Sequence, residues 1–176
     1  MYPFIRLAYH TYKASKLKDI SIFDTHECTV RIQPQDIDIF NELNNGRILT
    51  LFDLGRLPFG YRVGLMTAMK KRGWGLTMAG ASVRYRRRVR LFEKVRITTT
   101  AVGRDARFTY LVQTMWKGEE ATSNIVYRSA ITDKNGIVPT QELADELGFP
   151  DWNPEMPQWV QNWIAAEDTR DWPPQY

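Results

Sequence analysis

Between Leu76 and Thr132 the chain runs through four β-rich segments in series, and this constrains its fold more than any other feature. The segments are Leu76 to Val89, Lys94 to Val102, Phe108 to Trp116 and Ala121 to Thr132, each rich in β-branched and aromatic residues. Turn material separates and closes them: GRDA around Gly103, KGEE around Gly118, and DKNG from Asp133, where Asn135 and Gly136 favour a tight reversal. Gly80, inside the first segment, is expected to mark a bulge.

Ahead of this series stand one strand and one long helix. HECTVRI, from His26 to Ile32, alternates with Cys28, Val30 and Ile32 on one face, and Pro34 ends it. Beyond Asn45, the residues Ile48, Leu49, Leu51, Phe52 and Leu54 recur at helical spacing, with Asn44 or Asn45 suited to the cap. Pro58 is expected to kink or divide this helix, its second part running through Val63, Leu65, Met66 and Met69 towards Lys71. The order of strand, helix and four strands predicts an α+β architecture, with one antiparallel sheet wrapped over a central helix. After it come two short helices, Gln141 to Leu147 and Gln158 to Ala166, the second placing Trp159, Val160, Trp163 and Ile164 on one face before WPPQY.

The 176 residues suit one domain over 1–176, with an arm over 1–25 and a helical extension over 140–176. Hydrophobic residues at 43% and charged residues at 25% exclude a disordered or fibrous chain. No apolar run reaches the roughly 20 residues of a membrane span, and Pro3, Arg6 and Lys13 interrupt the amino-terminal apolar residues, so no signal peptide is expected. The arm mixes Tyr2, Phe4, Ile5, Leu7 and Tyr9 with Lys13, Lys16 and Lys18; it suits packing on its own domain or a second subunit, and also weak association with an anionic membrane surface. Cys28 is the only cysteine, which excludes an intrachain disulfide and makes a cytoplasmic location the default. With His10 and His26 it falls short of a zinc ligand set, so no metal is expected. The net charge of +4 favours an anionic partner: nucleic acid, a phospholipid surface or a phosphorylated cofactor.

The stretch DIDIFNELNNGR, from Asp36 to Arg47, crowds Asp36, Asp38 and Glu42 with Asn41, Asn44 and Asn45 at the entrance of a helix meant for burial. A helix entrance carries orphan N–H donors and about half a positive charge, which suits it to stabilising an oxyanion. The longer stretch RIQPQDIDIFNELNNGRILTLFDLGR resembles the strand-to-helix junction of the hotdog-fold acyl-CoA thioesterases, the group of the 4-hydroxybenzoyl-CoA thioesterases. There a D-x-D pair is followed by H-x-N-N and the central helix. Asp36, Asp38, Asn44 and Asn45 match, whereas Glu42 stands in the place of the histidine. The strand order agrees from Cys28 to Pro139, and YRRRV and WGLT look like segments of a bacterial thioesterase-like branch.

The resemblance implies a hotdog fold and hydrolysis of an acyl thioester, with Asp38 as the catalytic carboxylate and a backbone N–H between Asn41 and Asn45 polarising the carbonyl. It also implies a homodimer or homotetramer with the site between subunits, and coenzyme A enters only as part of the acyl-CoA substrate. Asp38 would act as general base or nucleophile, with Glu42 and Asn45 shaping the site and Asn44 as cap and substrate-binding residue. In a turn-like backbone Glu42 and Asp38 would share a small space and repel one another. Asp36 or Asp38 would alternatively offset Arg31 or Arg47 within ordinary Asx and capping turns, which is the reading preferred for Asp36. Asp53 and Arg56 suit an intrahelical ion pair.

If RYRRRVR continues the strand, Arg84, Arg86, Arg88 and Arg90 share one sheet face. Arg86 and Arg88 are then candidates for the nucleotide phosphates, against a plainer role as solvated or ion-paired side chains. No nucleic-acid recognition motif accompanies them, and the acidic helix entrance would repel phosphate, so nucleic acid is not the expected partner. The alternative to an enzyme is a non-catalytic acyl-thioester or fatty-ligand binding protein of the same fold.

Overall fold

The computed structural model describes residues 2–171, 173 and 175. Helix α1 (Phe4–Ala14) leads to strand β1 (Thr25–Arg31) and a single 3₁₀ turn at Pro34–Asp36. Helices α2 (Asn45–Arg62) and α3 (Leu65–Arg72) follow, then strands β2 (Gly75–Tyr85), β3 (Lys94–Arg104), β4 (Thr109–Lys117), β5 (Glu120–Asp133) and the two-residue β6 (Gly136–Ile137). Helices α4 (Thr140–Glu146) and α5 (Gln158–Asp168) complete the order. The sheet runs β1-β3-β4-β5-β2, antiparallel throughout, with β6 paired to β5. It curls around α2 as the hotdog architecture requires.

The core forms where the inward faces of the strands meet that helix. Val30 and Ile32, Val95 and Ile97, Met115 and Ile125 close on Ile48, Leu51, Phe52 and Leu54. Gly55 lets the helix approach closely, because a Cβ there would stand 2.9 Å from Thr99 Oγ1 and 3.1 Å from Gln113 Nε2. Gln113 uses that proximity: its Nε2 donates to Phe52 O at 2.9 Å and to Thr99 Oγ1 at 2.8 Å, which ties helix to sheet through a buried polar group. On the outer face, Tyr110 and Val126 pack against Val160, with Trp163 and Ile164 beside them. Trp159 does not join this stripe and stays exposed. Of the WPPQY terminus, Trp172, Pro174 and Tyr176 lie outside the described residues.

Three expectations change. Helix α2 passes through Pro58 unbroken and ends only before Gly64, whose φ of +82° is left-handed. Both sides of Pro58 belong to buried packing, and the Leu54 carbonyl that Pro58 leaves without a helical donor accepts from Cys28 Sγ at 3.4 Å. Strand β2 stops at Tyr85, so the arginine ladder does not form. The amides of Arg86 and Arg87 both donate to Thr122 O, at 2.8 and 3.1 Å, and this doubling on one carbonyl breaks the register just after the Tyr85 to Ser123 pair. The amino-terminal arm holds an eleven-residue helix, α1, packed on α2: Leu7 joins the core and Tyr2 donates to Asp53 Oδ2 at 2.8 Å. The bulge appears at Gly80, between Met78 and Gly80, and the reversal at Asn135 closes with Asp133 opposite Gly136.

Candidate active site

The segment between the 3₁₀ turn and α2 is a tight reversal. Ile37 and Leu43 face each other in an isolated antiparallel bridge, and Asp38 N donates to Glu42 O at 2.9 Å. Asn41, with φ at +58°, turns the chain, a conformation its side chain tolerates better than most. Asp38 Oδ1 accepts from the amides of Phe40 at 2.9 Å and Glu42 at 3.3 Å, an Asx turn that leaves the side chain half-buried. Among the described residues, Asp38 Oδ2 has no hydrogen-bond partner.

Asp36 is fully buried. One oxygen accepts from Arg6 at 2.7 Å and from the Gln33 amide at 3.0 Å; the other accepts from Arg47 Nη2 at 2.8 Å and Nε at 3.2 Å. Burial alone would raise its carboxyl, but Arg47, Arg6 and the Gln33 amide outweigh it and hold the group below the usual carboxylate range. Of the two partners expected from sequence, Arg47 is used and Arg31 contributes only its carbonyl, which accepts from Arg6 at 2.9 Å. Arg6 itself, thirty residues upstream, carries no local signal that would have identified it.

Asn44 is the N-cap of α2: its Oδ1 accepts from Arg47 N at 3.1 Å, and its own amide donates to Asp36 O at 2.9 Å. The cap serves Arg47, and Ile48 N reaches Asn44 O at 3.0 Å, so the amides of Asn45 and Gly46 are the helix-entrance donors without an intrahelical acceptor. The loop is fastened from the other side by Leu43 N, which donates to Val89 O at 2.8 Å.

This junction opens a cleft of about 180 Å³, walled by Glu42, Asn45, Ile48, Tyr85 and the three arginines Arg86, Arg87 and Arg88. Four residues singled out from sequence, Glu42, Asn45, Arg86 and Arg88, thus share one cleft, with Asn44 beneath it as cap. Asp38 is not in its wall. Glu42 is held by Arg88 Nε at 3.0 Å, and Arg87 pairs with Glu120 at 2.5 Å. Tyr85, not singled out from sequence, donates to Asn45 O at 3.3 Å, so it braces the first turn of α2 from across the cleft.

Elsewhere, an apolar cavity of about 50 Å³ lies beneath the second half of α2, between Phe59, Met66, Leu111 and Trp152. Arg56 at its edge pairs with Asp53 at 2.5 Å, the intrahelical pair expected. The thiol of Cys28 is pushed up to about 12, chiefly by burial, and is no nucleophile at neutral pH. Among the described residues no group of His, Cys, Asp and Glu is arranged to hold a metal ion, and no helix is long and apolar enough to cross a membrane.

With this geometry in view, the chain was compared with known proteins. Residues 32–164 match the profile of the Thioesterase-like superfamily. Protein THEM6 of Xenopus laevis is 29% identical over 146 residues, covering 82% of this chain and 69% of that protein. Protein THEM6 of Drosophila melanogaster is 30% identical over 135 residues, covering 75% and 68%. Among solved structures, the YbaW probable thioesterase from Escherichia coli superposes with a TM-score of 0.66 at 16% identity, over 69% of this chain and 96% of that one. The protein SAV2348 from Staphylococcus aureus, solved in complex with CoA, gives 0.63 at 14% identity, over 80% and 92%. At such identities the structural likeness establishes the fold, and it is the hotdog fold read from the Asp36 to Arg47 junction.

Proposed function

Because the chain belongs to the thioesterase-like superfamily, we propose that it hydrolyses an acyl-CoA thioester to the free acid and coenzyme A, with Asp38 as general base or nucleophile. One observation carries this reading: Asn45, whose amide like that of Gly46 has no acceptor in the helix, lines a cleft that also holds a carboxylate and a cluster of arginines. A thioester carbonyl placed against that first turn would have its developing oxyanion met by two N–H groups and the helix dipole, an effect worth about 3 kcal/mol per donor in other hydrolases. Asp38 is coupled to the cleft through Glu42, by the 2.9 Å and 3.3 Å bonds between the two residues. Its unpartnered Oδ2 is the oxygen available to take a proton from water or to attack the acyl carbon.

Glu42 and Asn45 shape the site in this reading, and Arg86 and Arg88 are the candidates for the nucleotide phosphates. Coenzyme A is a part of the substrate, and no separate cofactor is invoked. The homodimer or homotetramer belongs to the same reading: β2 is an eleven-residue sheet edge with no outer partner among the described residues, which a second copy would cover. A cytoplasmic location belongs to it too. A second reading follows from the wall of the cleft, where Glu42 rather than Asp38 presents its carboxylate, and makes Glu42 the base.

A panel of acyl-CoA esters of increasing chain length, assayed for thiol release, tests both. Asp38→Asn is expected to lower kcat by roughly a hundredfold to a thousandfold with KM little changed. If Glu42→Gln abolishes turnover while Asp38→Asn keeps it, the second reading replaces the first. If the unaltered protein binds acyl-CoA and never releases thiol, it is the non-catalytic binding protein.

A further inference from the structure

Helix α1 has two apolar sides. Its inward side, Leu7, His10 and Ala14, lies against α2 and β1, with Arg6 bonded to Asp36. Its outward side carries Ile5, Ala8, Tyr9 and Tyr12, at the i, i+3, i+4 and i+7 spacing of a continuous stripe, with Phe4 at its border. This stripe faces solvent: Ile5 is 88% exposed and Tyr12 62%. The charges on its own segment are of one sign, Glu27 of β1 lying across the cavity that Lys13 also lines. Residues 2–18 hold Arg6, Lys13, Lys16 and Lys18 and no acid. Two of the lysines lie on the stripe itself, Lys13 Nζ 5.5 Å from the centre of the Tyr9 ring and Lys16 Nζ 5.2 Å from that of Tyr12.

We propose that α1 is an interfacial helix that docks the protein on an anionic lipid bilayer, Ile5, Tyr9 and Tyr12 entering the headgroup boundary while Lys13 and Lys16 pair with lipid phosphates. Aliphatic and aromatic side chains flanked by lysines are what such a boundary accepts, because tyrosine rings and lysine stems keep a polar tip at headgroup level. Nucleic acid would match the lysines and leave the apolar stripe wet. A second copy of the chain fits the dimensions poorly: the stripe is about 16 Å long and one helix wide, small against the roughly 800 Å² per partner that a stable dimer buries. Equal positive stripes would also repel one another across such an interface.

Sedimentation of the full chain with vesicles tests this. Binding is expected to vesicles of phosphatidylcholine containing phosphatidylserine, to weaken about tenfold or more with phosphatidylcholine alone, and to fall as salt is raised. Ile5→Ser with Tyr12→Ser is expected to lower affinity about tenfold, and Lys13→Glu with Lys16→Glu roughly thirtyfold. All four side chains are exposed, so melting temperatures unchanged from the parent would show that the losses are not unfolding. Failure of the parent to bind the anionic vesicles overturns the proposal, as does binding that both double variants retain. Conversion of a dimer to a monomer by Ile5→Ser with Tyr12→Ser, seen by sedimentation velocity without lipid, would assign the face to a second copy instead.

Discussion

Asp36 and Asp38 are separated by one residue at the entrance of α2, yet one has both oxygens occupied by two arginines and an amide while the other spends a single oxygen on its own loop. The first is fully buried and ties α1, the 3₁₀ turn and α2 together through Arg6, Gln33 and Arg47. The second sits half-buried on a reversal whose tip, Ile39 and Phe40, is exposed. The contrast shows that burial gives the two carboxylates of a D-x-D pair different surroundings. A carboxylate whose lone pairs are all matched can hold a fold and has nothing left for a substrate, whereas one with an open oxygen contributes little to the fold and is free to react.

Substitution at the two positions is expected to separate the roles. Asp36→Asn should cost about 3–5 kcal/mol of stability in chemical denaturation, since it removes the fully buried carboxylate on which the half-buried Arg6 and Arg47 converge. Asp38→Asn should change stability by about 1 kcal/mol or less, because the amide oxygen can still accept from Phe40 and Glu42, while turnover falls by the hundredfold or more given above. A loss of stability at Asp38 as large as at Asp36 would erase the distinction, and with it the ground for placing Asp38 in the chemistry.

The sequence carried this junction unevenly, and the reasons are physical. The strands after Gly73 and the buried face of α2 are written in local periodicity, so their positions agree with the structure to within a few residues. Pro58 read as a break because its cost is local, while the Cys28 thiol that meets the freed Leu54 carbonyl comes from β1, 26 residues away. Arg84 to Arg90 read as strand because alternation says nothing about the partner strand, and there the amides of Arg86 and Arg87 share one carbonyl, Thr122 O, so the ladder is broken. Helix α1 read only as an arm, since Pro3, Arg6 and Lys13 interrupt its apolar residues. The D-x-D and N-N pattern placed the loop through its resemblance, and the ion-pair role preferred for Asp36 holds with Arg47, but its second arginine, Arg6, comes from α1 and nothing local in DIDIF indicates it.

Acid tests the role of Asp36 further, provided another group is removed first. Asp36, held below the usual range, supports the fold above the pKa near 4 of an unfolded aspartate, and that support fades as pH falls below it. His26 acts earlier. It is buried, Arg62 Nη1 donates to its Nδ1 at 3.0 Å, and burial first, then Arg62 and His10, push it down to about 4. The unfolded chain therefore takes up a proton near pH 6.5 that the folded chain refuses until about 4, so stability declines as pH falls through that window. The loss should reach about 2 kcal/mol at pH 5. Denaturation midpoints of His26→Phe, compared between pH 7 and pH 5, should show a flatter response than the parent. What remains below pH 4 then reports Asp36 together with Glu93, whose carboxyl the Arg90 amide and Lys117 also hold below the usual range.

The smallest expected effect concerns the ion pair that spans the cleft. Arg88 is largely exposed and Glu42 partly so, and a pair in that setting contributes about 0–1 kcal/mol to stability. Arg88→Ala should therefore leave the denaturation midpoint almost unmoved. Its effect on catalysis depends on what Arg88 does when substrate arrives. If Arg88 meets the coenzyme A phosphates, KM for acyl-CoA should rise several-fold and become less sensitive to salt, with kcat retained. If its work is to turn Glu42 away from Asp38, kcat and its pH profile should change while KM stays near the parent value. The second outcome would join Glu42 to Asp38 as one reactive unit, and the division of labour would then lie between Asp36 and that pair.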